Sequence, residues 1–124
     1  MITGIVNAEL EALLRLIVQG LNGDEHEVEA VIDTGFNGFL TLPTELVEQL
    51  KLPWLFRQQC ELADGCLSVF DVHAGTVLWN GRPRKVEIEV ADTQPLLGMA
   101  MLAKHSLHID VQNGGAVLID DSTD

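Results

Sequence analysis

Of the four Asn-Gly pairs in the chain, three, Asn22-Gly23, Asn80-Gly81 and Asn113-Gly114, each fall between stretches of alternating or continuous apolar residues. Asn-Gly readily adopts the left-handed backbone of a tight two-residue turn, so each pair folds its flanks into an antiparallel hairpin. The first pair leads into a strand with Val28, Ala30 and Ile32 on one face, and its acids Glu25, Glu27 and Glu29 on the solvent side. Residues 7–18 begin with good helix formers, but Leu14, Leu16 and Val18 alternate, and the turn that follows makes this segment the partner strand. The second pair joins residues 75–79 to 82–90, and the third joins 107–111 to 116–119. A fourth turn, Ala63-Asp64-Gly65, separates strands at 54–62 and 66–73.

Between these hairpins, residues 38–42 read as a short buried strand. Residues 43–50 read as a short helix, with Pro43 and Glu45 in its first turn and Pro53 beyond its end. A second short helix is expected at 99–104, and residues 120–124 as a frayed end. Short strands at this spacing imply an all-β barrel or sandwich with one or two short helices. A length of 124 residues suits one domain spanning 1–124, and 47% apolar against 21% charged residues excludes disorder.

The 19 acids and 7 bases give a net charge of -12, which repels nucleic acid and anionic membrane and favours basic or neutral partners. No apolar run approaches the ~20 residues of a membrane span, and no basic segment followed by an apolar block opens the chain; the expected location is cytoplasmic. Cys60 and Cys66 flank the 63–65 turn and are expected as free thiols rather than a bridge across it. His26, His73, His105 and His108 show no zinc-ligand spacing, so no metal is expected. His105 and His108, at i and i+3, could share a helical face, though solvated or hydrogen-bonded rings are the simpler reading.

The chemistry points to Val31-Ile32-Asp33-Thr34-Gly35-Phe36-Asn37-Gly38. Two apolar residues run into Asp-Thr-Gly, which puts a carboxylate on a sharp turn at the end of a strand. Gly35 allows a positive φ or a close backbone approach, and the Thr34 hydroxyl can bond to backbone or to a facing chain. Taken alone, the tripeptide is also what an ordinary turn looks like. Ser68, Ser106 and Ser122 lack a nucleophile elbow, no phosphate-binding glycine loop precedes a helix, and a Cys-His hydrolase through Cys60 or Cys66 has little support.

Asp33-Thr34-Gly35, Ala63-Asp64-Gly65 and Leu96-Leu97-Gly98, in that order along a β-rich chain, resemble the retroviral type of aspartic protease. The resemblance implies an all-β retropepsin-like barrel with one lobe per chain. It makes Asp33 the catalytic aspartate and Thr34 the hydroxyl that bonds across the dimer. Gly35, with Phe36 and Asn37, would contact substrate; Ala63, Asp64 and Gly65 would tip the flap that closes over a peptide; Leu97 and Gly98 would pack behind the catalytic loop with Thr34 and Gly35. With one Asp-Thr-Gly per chain, the enzyme would be a homodimer acting on peptide or protein, using no cofactor. The chain ends, residues 1–6 and 116–119, would interleave with those of the partner.

Two departures from the family are visible. Phe36-Asn37 stands where retroviral enzymes usually have Ala-Asp, and Met99 where they have Arg after apolar-apolar-Gly. The ion pair that Asp and Arg form in the family is absent as a pair, leaving no orphaned charge but removing a support of the dimer. The expected function is therefore an aspartic endopeptidase, the alternative being a catalytically silent dimerising or peptide-binding module of the same fold.

Overall fold

The structure is a computed structural model and describes residues 1–121. Its strands are β1 (Ile2–Val6), β2 (Ala12–Gln19), β3 (Glu25–Ile32), β4 (Leu40–Leu42), β5 (Trp54–Glu61), β6 (Leu67–Trp79), β7 (Arg82–Val90), β8 (Leu96–Leu97), β9 (His105–Ile109) and β10 (Ala116–Asp121). Two short helices, α1 (Thr44–Gln49) and α2 (Met99–Leu102), interrupt them. The ten strands form one sheet ordered β5-β6-β7-β4-β8-β3-β2-β1-β10-β9, and a further pairing of β6 with β2 curls it back on itself. Its interior is filled by alternate residues of the longer strands other than β5, among them Leu14, Leu16 and Val18 from β2 and Ala30 and Ile32 from β3. The period-2 pattern read from the sequence is thus the pattern of burial.

Each of these three Asn-Gly turns closes the hairpin expected of it. Gly23, Gly81 and Gly114 all have φ near +80°, at 84°, 79° and 81°. The acids of β3 line its exposed face, where Arg15 lies 3.5 Å from Glu27 and 3.7 Å from Glu29. Such exposed pairs contribute little stability.

Three details differ from expectation. Residues 66–73 and 75–79 are parts of one 13-residue strand, β6, not two strands. Gly75 is buried in mid-strand, where an added Cβ would sit 2.7 Å from Ile88 Cγ1. It permits a close approach of β6 to β7. The second helix stops at Leu102, since Ala103 already turns out of the helix with a ψ of 134° and Lys104 follows with a left-handed φ of 67°. His105 and His108 are hydrogen-bonded rings on β9, as the simpler reading had it, each 2.9 Å from an aspartate, Asp121 and Asp110 respectively.

The last difference concerns the chain ends. Ile2 pairs with Ile119 and Ile5 with Ala116 in the same chain, while the other edge of β10 pairs with β9. In the single chain the ends pair with each other, and the free edges of the sheet are β5 and β9. Asp120 and Asp121 belong to β10, and the rest of the expected frayed end, 122–124, lies outside the described residues.

Candidate active site

Asp33 follows the last residue of β3 and is held from three sides. Its own N–H donates to Leu97 O at 2.9 Å, continuing a parallel pairing in which Val31 faces Leu96 and Ile32 faces Leu97. Its side-chain Oδ1 accepts the Gly35 N–H at 2.9 Å, and its carbonyl accepts the Phe36 N–H at 3.1 Å. The carboxylate is half-buried, and this tight turn gives it one orientation. Gly35 has no positive φ; what it supplies is space, since a Cβ there would lie 3.3 Å from Asp33 Oδ1.

The rest of the loop is tied to β8 and α2. β8 lies between β3 and β4, with Leu97 also facing Leu40. Gly98 N–H donates to Phe39 O at 3.0 Å, Met99 N–H to Phe36 O at 2.8 Å and Ala100 N–H to Gly38 O at 3.1 Å. Gly98 is buried, and an added Cβ would lie 2.3 Å from Gly38 O and 2.7 Å from Phe36 O. Leu97 and Gly98 thus sit against the Asp33 loop. Thr34, by contrast, is exposed, as is Met99.

The 63–65 turn is also where the sequence placed it. β5 and β6 form a hairpin that projects from the sheet, with every β5 residue except Cys60 exposed. Leu62 N–H donates to Cys66 O at 2.7 Å, Gly65 takes a φ of 85°, and Cys66 N–H donates to Asp64 Oδ1 at 2.9 Å. That last bond, together with the Cys66 side chain, holds the Asp64 carboxyl below the usual aspartate range. At the base, Trp54 Nε1 and Arg57 Nε both donate to Asp71 Oδ1 at 3.1 Å and lower its pKa likewise. The tip and the root are fixed; the span between carries exposed Leu62, Leu67 and Val69. Cys60 faces Ser68 across this hairpin, and both thiols are free.

Gly65→Val should reduce any turnover more than it lowers the melting temperature, because it strains the tip of a hairpin that is attached to the body only at its root. Unchanged turnover, with unchanged hydrogen exchange over residues 60–70, would show that this hairpin does not close over a ligand.

Several residues of the site carry no signal in sequence. Thr41, buried in β4, accepts the Leu96 N–H at 2.8 Å and so anchors β8. Arg84 donates to Met101 O at 2.9 Å at the end of α2 and lies 5.5 Å from the Phe39 ring centroid. Asp92 accepts the Thr44 N–H at 2.8 Å, capping α1 from 48 positions away. Glu87 and Glu89 line a cavity of about 500 Å³ between the Asp33 loop and the β5–β6 hairpin. Nothing in local spacing marks these pairings, since each is made across the fold.

Burial, followed by the nearby Glu87 charge, pushes the Glu89 carboxyl above the usual glutamate value. The folded state then binds a proton more tightly than the unfolded chain, so ionising Glu89 costs stability as pH rises through and above that usual value. Glu89→Gln should raise the melting temperature at neutral pH, and the gain should vanish at pH below about 4. The gain is small because water still reaches the group. A gain that is the same at both pH values would contradict this origin.

A solution structure of simian foamy virus (mac) protease superposes on the chain with a TM-score of 0.51 at 18% identity, over 71% of this chain and 90% of that one. EIAV protease, in complex with the inhibitor HBY-793, superposes with a TM-score of 0.55 at 22% identity, over 77% and 88%. The fold is that of a retropepsin. No protein-family model matches the sequence, and no curated protein matches it. The retropepsin-like chain is all-β apart from its two short helices. Among the described residues no helix is long and apolar enough to cross a membrane, and no cluster of side chains could hold a metal ion.

Proposed function

We propose that this chain is an aspartic endopeptidase that works as a homodimer, each protomer a single lobe contributing one Asp33. The reading is carried by one observation, a lone Asp-Thr-Gly turn whose carboxylate is oriented by the Gly35 N–H and braced by β8 within a retropepsin-like fold. One such carboxylate, alone and ionised, cannot both activate a water and polarise a peptide carbonyl. Two carboxyls about 3 Å apart share a proton: the ionised one takes a proton from water while the other donates to the carbonyl oxygen. Thr34, exposed beside Asp33, is available to bond to the partner loop. The β5–β6 hairpin then closes over the peptide and excludes water.

In the single chain β10 is paired on both edges, which leaves the edge of β9 open on that side of the sheet. Specific activity on unstructured peptides should fall on dilution in step with dissociation seen by sedimentation. Full specific activity where the chain sediments as a monomer would contradict the shared site. A second reading, a silent peptide-binding or dimerising module, draws on Asn37 and Met99 in place of the residues that form the family's ion pair. It predicts peptide binding without cleavage.

A further inference from the structure

Glu87 and Glu89 point to the same side of β7, two residues apart. The cavity they line is bounded by Phe36, Asn37, Gly38 and Phe39 of the Asp33 loop, and by Gln58 and Phe70 of the projecting hairpin. Glu89 Oε2 rests directly over Gly38, in the space a side chain there would occupy, so the carboxylate lies against the Asp33 loop. Desolvation raises the pKa of Glu89, and no hydrogen bond compensates it. The ion pairs among the described residues include neither glutamate. None of the three cations of the same strand lines this cavity: Arg84 is turned to the Met101 carbonyl, Arg82 lies beside Trp79 and His105, and Lys85 lines a neighbouring cavity that Glu87 borders as well.

Aromatic walls leading to two carboxylates without a cation suit a long apolar stem with a positive head. We propose that this cavity is a specificity pocket that accepts the lysine or arginine side chain of a peptide substrate, at a residue close to the bond cleaved. The pocket adjoins the Asp33 loop through residues 36–39, so a peptide lying on that loop passes its mouth. The chain's net charge of -12 adds long-range attraction for the same peptides. The proposal rests on the peptidase reading, and its test separates the two.

The test compares peptides differing only in lysine against norleucine, an uncharged side chain of similar reach, at each position around the cleaved bond. For the wild-type chain kcat/KM should favour lysine by roughly tenfold or more at one position, less at high salt. Glu89→Gln should remove most of that preference, and Glu89→Lys should shift it toward glutamate at the same position. The same peptides are titrated against Asp33→Asn, which reports binding without chemistry, and against that variant combined with Glu89→Gln. Charge-selective binding that depends on Glu89, without cleavage by the wild type, supports the pocket and refutes the peptidase reading. Cleavage with no preference for a basic residue, or with a preference that both Glu89 variants leave unmoved, overturns the pocket alone. Neither cleavage nor binding overturns both.

Discussion

Asp33→Asn should abolish peptide cleavage, with a loss of at least about 10²–10⁴-fold, while leaving fold and dimer intact. The amide keeps the shape of the carboxylate, and its oxygen can still accept the Gly35 N–H that now reaches Asp33 Oδ1 at 2.9 Å. What disappears is the base for water and the shared proton. Two carboxylates brought close also repel each other, so the substituted dimer should dissociate no more readily than the wild type, and even less so near neutral pH. Cleavage by purified Asp33→Asn at an undiminished rate would exclude the aspartic mechanism, whatever the fold.

Gly98→Val should damage both stability and activity. The new Cβ would meet Gly38 O at 2.3 Å, Phe36 Cδ2 at 2.6 Å and Phe36 O at 2.7 Å, and two of these are backbone atoms that cannot swing aside. Overpacking of this kind costs about 1–3 kcal/mol and sometimes more, and denaturant or thermal unfolding measures it directly. The strain falls on the loop that orients Asp33, so residual folded protein should still cleave poorly. Met99→Ala, one residue on and exposed, should change stability by no more than about 0.5 kcal/mol. Equal effects of the two substitutions would mean that the packing of Gly98 against the loop is not what holds it.

The hairpins were legible because their cause is local. Asn80-Gly81, for example, adopts φ values of 53° and 79°, a conformation few other dipeptides tolerate, and alternation on either side sets which face is buried. Asp33, Leu97 and Gly98 were legible through a resemblance in motif order, and the fold brings them together. The continuity of β6 through residue 74 was not legible, because it is set by pairing with β7 across the fold, where Gly75 lets Ile88 approach. The parallel pairings of β3 with β8 and β4 with β7 leave no trace in spacing, since they join segments far apart in the chain. Glu87 and Glu89 alternate with buried Val86 and Ile88, which reads as a solvated face. Only the hairpin that projects beside β7 turns that face into a cavity wall.

The distance between the two Asp33 carboxylates tests the account most directly, in a crystal of the chain grown with a peptide-like inhibitor bound. The account predicts a symmetric dimer with the two carboxyls in hydrogen-bond range, about 3 Å apart, beneath closed β5–β6 hairpins. Inhibitor bound to chains whose Asp33 carboxylates lie too far apart to share a proton would contradict it, and would leave a peptide-binding module in the place of an enzyme.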